Sequence, residues 1–468
     1  MRSRATLAIC MALFQSTAAV WADGITLTNF KADETVRYPV VFLRGTLDDK
    51  NARSITATNE SATRPSKQLN GPAYQGSFKA LMELVVGPNK LVLRAGKQTQ
   101  SVTLHYKPQT NPYLVQVVFM TDRTGNTKYQ TPRQNDPQNY RAKLDTTMKL
   151  IQCFTAEQMN DLGFGRLTFN LEWDKEGNVE VHKLVSEHPA EFFYPLADVP
   201  LFLAVRSEVA TKFDSPRTKR AVFTAFSHYD PKIRKLLASN ARGGGSIAEC
   251  TAAFLWAWPS SLSGVFAAFS DPTRINTRVV ADEDDGRNTV WSAANYTAVM
   301  LHELQHTWGL PHSRDPRDVI AGRGFKYFNR FFTFVEPPSK ANKHYLHFRE
   351  NEASSIAPLS GAALKNSRWF ALDDKPWKDG GQPRFTAYGS GGDILIEAER
   401  GLAYLGIDAK DDAVGYKSWG YRQPAPPRRY VLTAAELQQL AGTTDVRIRA
   451  IDLEGQQSDI ETKKLPKK

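Results

Sequence analysis

Between Thr297 and Ser313 the chain reads TAVMLHELQHTWGLPHS, which sets His302, Glu303, His306, Gly309 and His312 in the spacing H-E-x-x-H-x-x-G-x-x-H. Residues four apart on an α-helix lie on one face, about one turn from each other. His302 and His306 therefore reach a common point, and each imidazole can hold a metal ion at roughly 2.0–2.1 Å. Glu303 sits about 100° round the helix, beside that point rather than on it. Gly309 permits the left-handed conformation that ends a helix. Pro311 stops the helix from resuming, and His312 arrives as a third ligand. Three protein ligands leave a fourth position for water, the arrangement of a catalytic zinc site. Chance produces the full pattern in about one chain of this length in a hundred thousand. On the same helix Leu301, Leu304 and Trp308 are spaced to pack against a sheet, with Val299 and Met300 as core.

The stretch His302–His312 resembles the extended zinc-binding motif of the metzincin metallopeptidases. Gly309-Leu-Pro-His312-Ser313, followed by Asp318-Val-Ile-Ala-Gly-Arg-Gly-Phe-Lys-Tyr-Phe-Asn-Arg330, is similar more specifically to the zincin-like peptidases best known from fungi. The resemblance implies a catalytic domain of mixed sheet plus active-site helix, with zinc on His302, His306 and His312. The chain departs from the metzincin pattern after the third histidine, because it has no methionine beyond Met300 for the turn beneath the zinc ligands. Ile320 stands where some members carry that residue and fills similar apolar space. No tyrosine follows two residues after Ile320, so the extra tyrosine ligand of some relatives is not expected.

The first residues, Met1-Arg-Ser-Arg4, an apolar run from Ala5 to Val20 and Val20-Trp-Ala22 before Asp23, have the make-up of a cleavable secretory signal at residues 1–22. No later stretch approaches the ~18 apolar residues of a membrane span. The expectation is a secreted or periplasmic protein without a transmembrane segment. Its 60 basic and 49 acidic residues, net +11, are interspersed rather than clustered. That balance suits an anionic envelope polymer or an acidic substrate. With no basic-aromatic motif in an exported chain, nucleic acid is not an expected partner. Once the leader is gone only Cys153 and Cys250 remain, and an oxidising compartment allows either one disulfide or two buried thiols.

Residues 23–108 read as an all-β sandwich. Val36–Leu47, Phe78–Leu84, Lys90–Arg94 and Ser101–Tyr106 alternate apolar and polar residues, with turn signals at Gly87-Pro-Asn89 and Ala95-Gly-Lys97. The phrase Leu84–Leu93 is similar to immunoglobulin-like modules of exported proteins. After a linker at Lys107–Pro112, the catalytic domain (109–385) opens on a buried strand, Tyr113–Phe119. Tyr140, Leu144, Met148 and Ile151 mark an amphipathic helix. Leu167–Trp173 and Val179–His182 read as a hairpin, and Arg220–Phe226 and Ala252–Trp258 as strands. Ala248–Trp258 is expected at a sheet edge, where an extended substrate adds as a further strand. The aromatic segment Phe325–Phe334 reads as core beneath the site. His344 and His347 read as surface or core histidines. A β-rich C-terminal module (386–468) holds a hairpin at Ile394–Leu405, a capped helix at Thr433–Leu440 and a strand at Val446–Ile451.

The expected fold class is α+β: a zincin-like catalytic domain between an N-terminal immunoglobulin-like β-sandwich and a small C-terminal β-rich module. The expected function is an exported zinc-dependent endopeptidase acting on protein or peptide substrates, envelope-associated ones included, with Glu303 as general base. Two other readings fit the same residues. One is an inactive zincin-fold binding or adhesion protein. The other is a zinc-dependent amidase acting on envelope or glycoconjugate amides. The oligomeric state is not written in the sequence.

Overall fold

The computed structural model describes residues 24–63, 65–281, 289–290, 294–320, 324–338, 344–378, 381–389, 391–410, 412–419 and 426–465. The leader expected at 1–22 lies outside the described residues, as do 282–288 just before the histidine helix. The chain is of mixed α and β structure and sheet-rich. Among the described residues no helix is long and apolar enough to cross a membrane.

The alternating N-terminal segments fold as eight strands: β1 (Ile25–Leu27), β2 (Glu34–Val36), β3 (Val40–Leu47), β4 (Ser54–Asn59), β5 (Gln68–Tyr74), β6 (Ser77–Glu83), β7 (Gly87–Ala95) and β8 (Gln98–Tyr106). Their order is β1-β3-β6-β5-β4-β7-β8-β2, and β5 pairs with β4 along most of its length and with β6 at its end. A strand that changes partners in this way turns one sheet into the next. Alternate residues such as Phe42, Ala80, Leu91, Leu93 and Leu104 then meet inside.

The next unit is built on β9 (Leu114–Thr121), whose nearly unbroken apolar run is what a strand covered on both faces requires. Against it lies α1 (Tyr140–Asp161), with Leu144, Met148 and Ile151 fully buried as their spacing predicts. The predicted hairpin is reduced to a single bridge, Trp173 to Val179. Its arms become β10 (Asn170–Leu171) and β11 (Val181–Val185), which both pair parallel to β9. Then come α2 (Asp198–Lys212), β12 (Thr218–Thr224), β13 (Ala241–Gly244) and β14 (Ile247–Thr251). The sheet order is β10-β9-β12-β14-β13, parallel except for the antiparallel edge β13.

Two sequence expectations are corrected here. Ala252–Ala257 is a 3₁₀ turn and not a strand, because the Thr251 hydroxyl accepts the Ala253 N–H at 3.2 Å and starts a helical turn. Ala248 belongs to β14, inside the sheet; the edge is β13.

Beyond the histidine helix α3 (Val299–Thr307) come β15 (His312–Ser313), α4 (Phe328–Phe332) and α5 (Pro358–Lys365). The aromatic segment is core, as expected: Phe331 and Phe332 pack on Phe42 of β3, and Phe328 on Phe154 of α1. The C-terminal part holds β16 (Arg384–Tyr388), β17 (Asp393–Glu397), β18 (Leu402–Ala409), β19 (Asp412–Ser418), β20 (Arg429–Leu432), α6 (Ala434–Ala441), β21 (Arg447–Asp452) and β22 (Gln457–Glu461). Thr433 and Glu436 cap α6 reciprocally. The expected hairpin at Ile394–Leu405 does not form. Gly401, at φ +91°, sends the chain onward, so β17 joins the sheet β16-β17-β20 while β18 joins β15-β19-β18-β21-β22. That second sheet includes the strand carrying His312.

Candidate metal centre

The helix α3 packs across β13, and the fit is close. A Cβ on Gly243 would lie 2.0 Å from the carbonyl oxygen of Glu303. The run Gly243-Gly-Gly245 is the sequence signal for this approach, since only glycine lets backbone meet backbone there. Leu301, Leu304 and Trp308 are buried, Trp308 against Phe169 and Phe370. At the far end Gly309 takes φ +83° and ends the helix as the sequence predicts. Gly309 also has a second role, because a Cβ would lie 2.2 Å from Nε2 of Gln457 on β22.

The turn brings His312 back, and the candidate ligand atoms of His302, His306 and His312 all lie within 4.8 Å of one another. His302 is buried, His306 half-buried and His312 exposed. Two nitrogens bound tetrahedrally at roughly 2.0–2.1 Å from one zinc ion are roughly 3.3 Å apart. The Nε2 atoms of His302 and His306 are 3.2 Å apart. Each Nδ1 faces a backbone carbonyl, His302 that of Val319 at 2.8 Å and His306 that of Leu310 at 2.9 Å. A carbonyl can only accept, so each Nδ1 carries the proton and each Nε2 is left as a lone pair for a metal. Burial, with the neighbouring histidines, pushes His302 down to about 3; burial also pushes His306 down to about 4, against its bond to Leu310. Neutral imidazole is the ligand form, and three such nitrogens fit zinc.

The loop after His312 is fixed by Asp318. Its carboxylate is buried, accepts the Ser360 hydroxyl at 2.8 Å and accepts a hydrogen bond from Ser313, the neighbour of His312. Ile320 is fully buried directly after Val319, the residue that holds His302. Phe325 lies edge-on to His302 at 5.5 Å between centroids.

Glu303 is 6% exposed and accepts the N–H of Gly243. Burial lifts its carboxyl to about 8, with Arg242 opposing and Glu249 reinforcing the rise. A divalent cation on the adjacent histidines would pull it down again. Glu249 on β14 was not singled out by the sequence. Its Oε2 takes a bond from Asn240 at 3.1 Å, and its Oε1 has no partner among the described residues.

The remaining histidines stay outside the centre. His347 stacks on Tyr74 at 4.2 Å, His344 is exposed, and His182 meets Glu172 at 2.7 Å. Cys153 and Cys250 are buried free thiols and do not pair.

A cleft of about 850 Å³ opens over the centre. One side is formed by His306, His312 and Gly243. The opposite side comes from the C-terminal sheet, through Arg447, Arg449 and Gln457. The sheet is joined to the motif directly, since β15 pairs parallel to β19 with His312 opposite Asp412. Nothing in the sequence motif announced this wall. The alternation of arginine with apolar residues in Val446–Ile451 was its only trace.

A protein named a putative zinc metalloproteinase in Schizosaccharomyces pombe is 27% identical over 340 residues, covering 67% of this chain and 54% of its own length. One of the same description in Saccharomyces cerevisiae is 22% identical over 356 residues, covering 68% and 50%. The chain thus spans about half the length of the curated relatives it matches. Among solved structures, wild-type OgpA from Akkermansia muciniphila aligns with a TM-score of 0.46 at 14% identity, over 76% of this chain and 95% of that one. A catalytically inactive OgpA with an O-glycopeptide substrate aligns with a TM-score of 0.44 at 14% identity, over 75% and 92%. The family model described as "Putative peptidase family" matches residues 24–401, the three histidines included, and the protein belongs to that family.

Proposed function

We propose that this protein is an exported zinc-dependent endopeptidase, with a metzincin-type catalytic domain (109–385) between an immunoglobulin-like module (23–108) and a β-rich module (386–468). The observation that carries the reading is the set of three imidazoles converging at ligand spacing, two of them held by backbone carbonyls with Nε2 free. The zinc named in both curated relatives agrees with that donor set.

His302, His306 and His312 hold the metal. When bound, zinc supplies a Lewis acid that polarises the scissile carbonyl and makes water acidic near neutral pH. Glu303 accepts the proton from the attacking water and passes it to the leaving amine nitrogen. The Gly243 N–H keeps the Glu303 carboxylate in place, and the close packing of β13 on α3 excludes water behind it. A leader at 1–22 directs the chain out of the cell, to the periplasm or beyond.

The test is Glu303→Gln in the full chain. Zinc content should stay at one per chain, while cleavage of an unfolded protein falls by about 10²–10⁴-fold. Chelator should abolish the wild-type activity, and added zinc should restore it. A Glu303→Gln protein that cleaves near the wild-type rate would remove Glu303 from the mechanism.

A further inference from the structure

The sheet facing the metal centre has two unlike faces. Along β21, Ile448 and Ala450 are fully buried in the C-terminal core, while Arg447 and Arg449 line the cleft. Along β22, Ile460 packs on that core, while Gln457, Asp459 and Glu461 line the cleft. On β18, Leu405 and Ile407 point inward and Asp408 lines the cleft. The period of two explains the split. A strand needs only one apolar face to fold, so the polar residues on the other face are free to serve a ligand.

Arg449 stands out on this face. Its side chain is 6% exposed and pairs with Asp408, itself 4% exposed, at 3.3 Å. Its Nε has no acceptor among the described residues. A buried guanidinium donor left unmet is costly, and an ionised acceptor supplies the strongest partner because Arg presents planar paired donors to a carboxylate. Opposite Arg449 on β18 stands Gly406, and the Tyr404 ring lies over it, its hydroxyl 2.7 Å from where a Cβ would stand. Arg449 lines the same cleft as His306 and His312, so cleft wall and metal centre form one site. The family match ends at residue 401, just before β18 begins. The wall formed by β18, β19, β21 and β22 thus lies beyond the part of the chain that the family model matches.

We propose that Arg449 is a specificity-determining residue, and that the cleft face of the C-terminal sheet is a subsite for a carboxylate-bearing side chain of a peptide substrate. The proposal rests on the peptidase reading. The incoming carboxylate meets the Arg449 fork after a small rotation of its side chain. Asp408 keeps the guanidinium oriented and prevents an isolated buried charge when the subsite is empty.

The experiment uses full-length zinc-loaded protein carrying Glu303→Gln, so that peptides bind without turnover. Fluorescein-labelled octapeptides with one Glu walked through an Ala/Ser background are compared with their Gln counterparts by anisotropy. At one position Glu should bind at least about tenfold tighter than Gln, in keeping with a charge-assisted pair against a neutral one. Adding Asp408→Asn with Arg449→Met, which removes the pair without leaving a lone buried charge, should cut that ratio below about twofold. Arg449→Lys, which keeps the charge and loses the fork, should leave an intermediate ratio. A Glu preference that survives the double change overturns the proposal, as does the lack of any Glu preference. Wild-type cleavage rates separate the two readings. Cleavage without a Glu preference ends this proposal alone, whereas neither cleavage nor peptide binding ends the peptidase reading as well.

Discussion

The two β-rich ends of the chain are attached to its middle by different physics. The N-terminal strands dock on α1 and α4 through buried polar contacts. Glu157 of α1 accepts the Tyr38 hydroxyl at 2.9 Å, Arg166 at 2.7 Å and the Asn29 amide at 2.7 Å, while Arg166 also bonds Glu34 and the Asn29 carbonyl. Lys79 of β6 donates to the carbonyls of Arg330 and Thr333 at 3.0 Å each. None of these residues lines the cleft. The C-terminal sheet is attached at the metal site, by the pairing of His312 with Asp412 and the contact of Gln457 on Gly309, and beside it by Arg368, which donates to the Glu454 carbonyl at 2.6 Å. One end therefore supports the fold, while the other shapes the site.

The largest effect is expected where the N-terminal docking is cut. Glu157→Ala removes the buried carboxylate shared by Tyr38, Asn29 and Arg166, and leaves the Arg166 guanidinium only the less buried Glu34, a loss of about 3–5 kcal/mol. Denaturant unfolding should show it, and zinc affinity of the protein that remains folded should be unchanged. A matching drop in zinc affinity would break the contrast, because the N-terminal unit would then also shape the centre.

The histidine centre was legible because its geometry is local: a helix repeat, a glycine stop and a proline fix three ligands within eleven residues. The N-terminal strands were legible for a similar reason, since alternation is written in each strand. What escaped depends on distant pairing. β15 is two residues long and gains its neighbour β19 from about a hundred residues downstream, so no local pattern marks it as a strand. Ala252–Trp258 misled because an apolar run fits a strand and a buried turn equally well, and the Thr251 hydroxyl decided between them. The hairpin at Ile394–Leu405 misled because Gly401 marks a turn without saying which sheet each arm joins.

A smaller effect is expected on the side of the centre that neither end covers. Burial lifts the Glu249 carboxyl from 4.5 to about 8, against the Asn240 bond and Arg242. An acid whose folded pKa is raised holds its proton more tightly in the folded state. Stability is then full below about pH 4.5, falls as pH rises towards 8 and is constant beyond. Glu249→Gln removes that loss, so in the metal-free protein the variant should match wild type near pH 4 and exceed it by about 2–4 kcal/mol at pH 9. Equal unfolding curves at pH 9 would show that Glu249 ionises freely. The pH response would then have to be sought in the two ends.

The smallest effect sharpens the division within the C-terminal sheet. Arg447 pairs with Glu461 at 3.3 Å, but its side chain is 43% exposed, so solvent screens the contact. Its neighbour Ile448 is fully buried on the other face and carries the packing. Arg447→Gln should therefore change unfolding stability by less than about 0.5 kcal/mol. The same change removes a cation from the cleft wall. It should raise KM for an acidic peptide by less than about fivefold, leaving kcat close to wild type, as expected for a screened charge at the rim of a subsite. A stability loss of several kcal/mol with unchanged KM would mean that the polar face braces the fold as the N-terminal contacts do. The two ends of the chain would then differ in position and not in kind.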